Sequence, residues 1–142
     1  MAFESHIHHA AASHWFEGLL NDGCTFCRLT QQGFLRLATN PKAFGAEAVP
    51  MADAWRLYDA LVGDPRVSFA EEPADIEPIW RGYTERRTFS PKVWNDAFLA
   101  AFARAGGHEL ITFDKGFAQF EKLTCTILSE PQGNSLCRDR PG

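Results

Sequence analysis

Apolar positions are densest between residues 93 and 117, and this segment organises the rest of the chain. Residues 93–105 predict a helix that is apolar almost all round, which is typical of a helix buried between other layers. The two glycines that follow predict its end, because glycine readily takes the left-handed conformation found at helix C-termini. Residues 108–113 then predict a short apolar strand, and residues 114–116 predict a turn beyond its carboxyl end.

The remaining segments alternate between helical and extended patterns. Apolar residues at helical spacing predict helices at residues 5–20, 31–38, 51–62, 75–85 and 116–121. Short apolar runs predict strands at residues 24–29, 67–69 and 123–128. This alternation predicts an α/β domain over residues 1–128, with a parallel sheet covered by helices on both faces. Residues 129–142 are rich in glycine, proline and charge, and we expect them to form a mobile tail.

Length and charge narrow the class of protein. The 142 residues suit one domain with a substantial core. No apolar run is long enough to span a bilayer and the N-terminus lacks a secretory pattern, so we expect a cytoplasmic protein that does not enter a membrane. The net charge of −4 argues against broad, sequence-independent binding of nucleic acid. It leaves room for a local basic patch and suits a small basic partner.

The cysteines and the N-terminal histidines raise the question of a structural metal. Cys24 and Cys27 have CxxC spacing, but a zinc ribbon needs a second close pair, and Cys125 and Cys137 are too far apart to supply it. A redox pair normally opens a helix after a strand, whereas this motif falls within a predicted strand. We therefore expect reduced, buried cysteines. The four histidines within residues 6–14 only partly share a helix face, which favours solvated side chains over a zinc site.

Two carboxylates mark the central segment. Asp96 lies early in the apolar helix, and Asp114 lies just beyond the carboxyl end of the following strand. Ligands of open α/β sheets bind at that edge, and a carboxylate on a buried helix is costly unless a charged group meets it. Each residue alone has a simpler interpretation, since Asp96 suits the first turn of a helix and Asp114 suits a turn. As a pair they favour a ligand site.

Four sequence blocks follow one another in an order shared with a known family. They are HIHHAAASHWFEGL, CRLTQQGFLRLATNP, DPRVSF and VWNDAFLAAFARAGGHELITFDKGF, the last of which holds Asp96 and Asp114 18 positions apart. Together they resemble the PIN domain, specifically the VapC-type ribonuclease toxins of bacterial toxin–antitoxin pairs. The resemblance covers residues 3 to about 128 and implies a three-layer fold around a central parallel sheet. In this family a first, central strand ending in aspartate would precede residue 3. We therefore expect this strand to be missing, through a late start codon or a truncated copy.

The resemblance implies a metal-dependent endoribonuclease that hydrolyses RNA phosphodiester bonds with Mg²⁺ or Mn²⁺. Asp96 and Asp114 match the family's acidic positions, which makes them the expected metal ligands and catalytic residues, and an upstream aspartate would complete the site. Gln31 stands where the family often has glutamate, and with Thr30 it is a candidate for binding the metal or positioning its water. A basic antitoxin protein that covers the site and a homodimer are also implied.

Two alternatives stay open from the sequence. The basic residues Arg86, Arg87 and Lys92 lie among aromatic residues, which suits pairing with phosphates and stacking on RNA bases. Aromatic residues at helical spacing also suit a core whose arginines are solvated. The second alternative concerns activity, because Gln31 and the expected loss of the first strand also fit a catalytically dead, truncated PIN-like module that only binds a partner protein.

Overall fold

The structure is a computed structural model that describes residues 23–129. Its strands are β1 (Cys24–Phe26), β2 (Val67–Phe69), β3 (Leu110–Thr112) and β4 (Cys125–Ile127). Its α-helices are α1 (Arg28–Ala38), α2 (Pro41–Phe44), α3 (Met51–Val62), α4 (Ile76–Thr84) and α5 (Val93–Gly106). Short 3₁₀ helices cover Gly45–Glu47 and Lys115–Gln119. Helices alternate with parallel strands, which confirms the predicted α/β class.

The four strands pair as two parallel ladders. β1 pairs with β2, with Cys24 opposite Val67, and β3 pairs with β4, with Leu110 opposite Cys125. Among residues 23–129 no strand joins one ladder to the other, so these residues do not by themselves form the single predicted sheet. The expected absence of a first central strand concerns the chain before residue 23 and stays a prediction. The predicted helix at residues 5–20 and the tail from residue 130 onward also lie outside the described residues.

Helix α5 lies at the centre of the core. Most of its buried side chains are small, which lets α4 pack closely along it. Ile76 and Tyr83 of α4 enter the same apolar cluster, and Phe117 and Phe120 close this cluster from the segment after β3. The prediction of a deeply buried helix is therefore confirmed. Its buried residues are Ala97, Ala100, Ala101, Phe102 and Ala103.

The glycine pair ends α5 as predicted. Gly106 is the last helical residue, and Gly107 is left-handed with a φ of 68°. A Cβ added at Gly106 would lie 2.7 Å from the ring of His108. That ring stacks on Phe102, so the chain turns tightly from α5 into β3. This turn brings the strand that precedes Asp114 back against the helix that carries Asp96.

The start of α1 differs from its prediction. The strand predicted over residues 24–29 ends at Phe26, and the helix predicted from residue 31 begins at Arg28, with Cys27 as its N-cap. Thr30 is therefore the third residue of the helix, and its Oγ1 accepts a hydrogen bond of 2.9 Å from the Cys27 N–H. The sequence did not indicate this start, because cysteine is not among the residues that usually cap helices.

The other predicted helices that fall within residues 23–129 agree more closely. The helix predicted over residues 75–85 covers Ile76–Thr84, whereas the one predicted over residues 116–121 is the 3₁₀ helix Lys115–Gln119. None of the helices described has both the length and the apolar character needed to cross a membrane.

Candidate active site

Asp96 lies in the first turn of α5 and is half-buried. Its pKa is raised above the ordinary aspartate value, first because burial disfavours the charged carboxylate and second because the negative charge of Asp114 opposes it. A carboxylate that only complemented the positive end of the helix dipole would have a lowered pKa. The simple first-turn interpretation of Asp96 therefore fits its position but does not account for its electrostatics.

Asp114 lies two residues beyond β3 and is exposed. Its Oδ1 accepts a hydrogen bond of 2.7 Å from the Gly116 N–H, and its own N–H donates to Thr112 Oγ1 at 3.0 Å. These bonds make Asp114 the N-cap of the 3₁₀ helix that follows, so the turn interpretation is correct. No hydrogen bond from residues 23–129 reaches its Oδ2, and the residue is exposed to solvent.

The two carboxylates, 18 positions apart in the sequence, lie close enough for the charge of one to act on the other. A cation between them relieves this repulsion, and carboxylate oxygens are the ligands that hard divalent cations prefer. The described part of the chain holds no cluster of three or more His, Cys, Asp or Glu side chains suited to a metal ion. Two carboxylates with water and phosphate oxygens at the other positions suit Mg²⁺. The residues present therefore fit such a cation.

Gln31 and Thr30 make other contacts at the start of α1. Gln31 is buried, with 7% exposure, and its Oε1 accepts a hydrogen bond of 2.5 Å from Arg28 Nη1. Thr30 Oγ1 accepts from the N–H of Cys27 and donates to its carbonyl oxygen. Neither side chain forms a hydrogen bond with either aspartate. Their action on a metal or its water stays a prediction, and helix capping gives Thr30 a structural role.

Sequence reasoning did not single out Arg28. Its guanidinium lies 4.7 Å from the centroid of the Phe69 ring, which is the geometry of a cation–π contact. Arg28 lines a cleft of about 470 Å³ together with Trp80 and with Asn95, the neighbour of Asp96. The available signal was an arginine near the carboxyl end of a predicted apolar strand, since ligands of α/β sheets bind beyond strand ends.

The predicted RNA-contacting residues fall into two groups. Arg86 Nη1 donates to Gln119 Oε1 at 2.7 Å, and the guanidinium lies 5.9 Å from the centroid of the Phe120 ring. Arg87 and Lys92 are exposed, and neither forms an ion pair with any residue from 23 to 129. Arg86 therefore anchors its loop to the segment after Asp114, while the other two charges are open to solvent.

The aromatic residues around these charges are also divided. Tyr83 is buried and its hydroxyl donates to the Glu121 carbonyl oxygen at 2.5 Å, as the core interpretation predicts. Phe89 is fully exposed and Trp94 is 54% exposed. Trp80 lies edge-on to Trp94, and its indole N–H donates to the Trp94 carbonyl oxygen at 3.2 Å. The interpretation in which the aromatic residues pack into the core therefore holds for Tyr83 but not for Phe89 and Trp94.

Cys24, Cys27 and Cys125 are free thiols, as predicted, but only Cys27 is fully buried and the other two are partly exposed. Burial raises the pKa of the Cys24 thiol, and burial together with the charge of Glu109 raises that of Cys125. Such thiols are protonated at neutral pH and poor nucleophiles. The placement of the CxxC motif within a strand was wrong, because Cys27 caps α1. Cys137 and the N-terminal histidines lie outside the described residues.

Comparison with known proteins identifies the family. The PIN domain model matches residues 1–123. Ribonuclease VapC41 of Mycobacterium tuberculosis (strain ATCC 25618 / H37Rv) is 40% identical over 135 residues, which cover 92% of this chain and 92% of the relative. Ribonuclease VapC38 of the same strain is 37% identical over 121 residues, or 82% of this chain and 79% of the relative. Ribonuclease VapC44 of the same strain is 29% identical over 119 residues, which cover 80% of this chain and 78% of the relative. The chain therefore belongs to the PIN-domain family and resembles its VapC-type ribonucleases.

Proposed function

We propose that this protein is a VapC-type endoribonuclease that binds Mg²⁺ or Mn²⁺ through Asp96 and Asp114 and hydrolyses RNA phosphodiester bonds. The observation that carries the proposal is the raised pKa of Asp96, to which the charge of Asp114 contributes. It means that two acidic residues from different elements lie close together. The similarity to proteins named ribonuclease supports the same reaction. No contact among residues 23–129 favours the catalytically dead alternative.

The two carboxylates are positioned by different parts of the fold. Asp96 belongs to a helix whose other face is fully buried, so its backbone is fixed by the core. Asp114 is oriented by the Gly116 N–H and, through its own N–H, by Thr112. A Cβ added at Gly116 would lie 3.0 Å from Asp114 Oδ1, so the glycine leaves room for this orientation. Ligands that are oriented in advance lose less conformational freedom when a cation binds.

A bound divalent cation supplies Lewis-acid chemistry, since it lowers the pKa of coordinated water and stabilises negative charge on a phosphate. Asp96 and Asp114 would hold the cation between the first turn of α5 and the end of β3. The reaction would need no side-chain nucleophile, because water would be the attacking group. The raised pKa of Asp96 also means that protons compete with the cation for the pair. Cation affinity therefore falls as the pH is lowered towards the pKa of Asp96.

The same proposal includes the partners implied by the resemblance. RNA is the substrate, and an antitoxin protein is the partner, as the VapC names of the relatives suggest. The net charge of −4 suits a basic antitoxin segment. A homodimer and a cytoplasmic location complete the proposal and remain predictions from the sequence.

Metal removal tests the proposed reaction. We expect EDTA to reduce cleavage of a labelled RNA by the purified protein to the uncatalysed rate, and excess Mg²⁺ or Mn²⁺ to restore it. Binding is followed separately by thermal melting, since Mg²⁺ at 100 times its Kd stabilises a protein by about 2.7 kcal/mol. We expect Asp114→Ala to abolish this stabilisation.

The two readouts separate the possible failures. Cleavage at an undiminished rate in EDTA contradicts metal dependence. A wild-type protein that neither cleaves RNA nor is stabilised by Mg²⁺, but still binds a partner protein, would support the inactive module instead.

A further inference from the structure

The loop between α4 and α5, residues 85–92, and the first turn of α5 expose two aromatic rings. Phe89 is fully exposed, and Trp94 retains 54% exposure although it contacts Trp80. Trp94 lines two clefts of about 360 Å³ and 80 Å³. Trp80, Glu85 and the ion pair of Arg81 with Glu77 also line the first, and Arg86 also lines the second. An exposed aromatic ring beside a cleft, as at Trp94, is typical of a binding surface.

The same loop concentrates positive charge in an acidic protein. Residues 85–92 contain three basic residues and one acidic residue, whereas the whole chain has a net charge of −4. Arg87 and Lys92 form no ion pair within the described part of the chain. Cations beside exposed rings suit single-stranded nucleic acid, because the cations pair with phosphates and the rings stack on bases.

The loop is attached to both elements that carry the carboxylates. Lys92 is the N-cap of α5, four residues before Asp96. Arg86 donates a hydrogen bond to Gln119, the last residue of the 3₁₀ helix that Asp114 caps. At 3.6 residues per turn, Lys92 projects to the same side of α5 as Asp96, and Trp94 projects to the opposite side. A single-stranded nucleic acid bound to Trp94 would therefore reach the carboxylates by crossing the N-terminal end of α5.

We propose that Phe89, Trp94, Arg87 and Lys92 form a surface that binds single-stranded RNA and leads it to Asp96 and Asp114. Trp94 stacks on one base in the cleft that it shares with Trp80, and Phe89 stacks on another. Arg87 and Lys92 pair with the phosphates between these bases and the carboxylates. The inference rests on the proposed function, because the bound strand is the substrate of the proposed nuclease. Duplex RNA does not fit the surface, since its bases are already stacked on one another.

RNA binding without cleavage tests this surface. Fluorescence anisotropy in EDTA measures the affinity for a labelled single-stranded RNA of about 12 nucleotides. We expect Phe89→Ala and Trp94→Ala each to weaken binding by about tenfold, which corresponds to the loss of one stacked base. We expect the double variant Arg87→Ala/Lys92→Ala to reduce the slope of log K against log salt by roughly 1.4, which is the effect of two lost phosphate contacts.

Two control variants separate stacking from general disturbance. Trp55 is another exposed tryptophan, but it lies on α3, so Trp55→Ala is expected to bind RNA as wild type does. Phe89→Tyr retains the aromatic ring and is expected to keep the affinity of the wild type. A duplex of the same sequence is expected to bind more weakly and to be insensitive to Phe89→Ala.

Three results would overturn the inference. The first is a wild-type protein that does not bind single-stranded RNA, and the second is wild-type affinity in both Phe89→Ala and Trp94→Ala. The third is that Phe89→Ala or Trp94→Ala changes the oligomeric mass measured by sedimentation but leaves RNA affinity unchanged, which would make the surface a protein interface. Failure of the proposed function is distinguishable, because cleavage would then be independent of metal while RNA binding still depended on Phe89 and Trp94.

Discussion

Asp96→Asn is expected to reduce RNA cleavage in saturating Mg²⁺ by about a thousandfold. Asparagine keeps the size of the side chain and one oxygen, but it removes the charge that would hold the proposed cation together with Asp114. Loss of cation-assisted catalysis is worth several kcal/mol, and each 1.36 kcal/mol corresponds to about tenfold in rate. Single-turnover cleavage of a labelled RNA measures this loss directly.

The same substitution is expected to stabilise the metal-free protein slightly. The folded-state pKa of Asp96 is raised above its ordinary value of 3.8, so the folded protein binds this proton more tightly than the unfolded chain does. Ionised Asp96 therefore destabilises the metal-free fold as the pH rises above that value. We expect the variant to melt slightly above the wild type at pH 7. The difference in melting temperature between variant and wild type disappears in acid, where Asp96 is protonated in both the folded and the unfolded protein.

Two further variants keep this prediction decisive. Asp59 is exposed on α3, so Asp59→Asn removes a similar charge and is expected to leave cleavage unchanged. Asp114→Asn alters the exposed partner of the pair and is expected to reduce cleavage as Asp96→Asn does. Cleavage at the wild-type rate by a folded Asp96→Asn protein would remove Asp96 from the mechanism.

Phe102→Ala is expected to lower the free energy of unfolding by about 3–5 kcal/mol, which is the range measured for large-to-small substitutions in packed cores. Phe102 is 6% exposed, lies in the main apolar cluster and contacts the rings of Phe98 and His108. This loss is a large part of the roughly 5–15 kcal/mol by which whole domains are stable. It would lower the melting temperature by roughly 10–20 °C. Chemical and thermal denaturation measure both quantities.

Phe89→Ala makes the same chemical change at a fully exposed position. We expect its melting temperature to stay within about 2 °C of the wild type, since surface substitutions usually change stability by less than roughly half a kcal/mol. Equal destabilisation by the two variants would contradict the placement of Phe102 in the core. The comparison also shows that Phe89→Ala is folded, which its RNA-binding measurement requires.

The helix α5, the glycine turn after it and strand β3 were predictable because their sequence patterns indicate the same local structure. An alanine-rich apolar helix, a glycine pair and a short apolar strand each indicate the same local structure, and the structure has α5 ending at Gly106 followed by β3. The proximity of Asp96 and Asp114 was expected for the same reason. A carboxylate early in that helix and another beyond that strand share the edge where the two elements meet.

Other features depend on contacts that a local pattern does not contain. The start of α1 is set by the reciprocal bonds of Cys27 and Thr30, and cysteine is not a usual cap. The division of the aromatic residues into buried and exposed sets depends on tertiary packing. Tyr83 reaches across to Glu121, whereas the Phe89 side chain is fully exposed in its loop. Helical spacing alone does not distinguish these environments.

The most direct test of the account is the position of a bound Mn²⁺ ion, located by its anomalous scattering in crystals of the full chain. We expect one ion within about 2.5 Å of a carboxylate oxygen of both Asp96 and Asp114. An ion bound elsewhere, or an ion that contacts only one of the two carboxylates, would contradict this expectation.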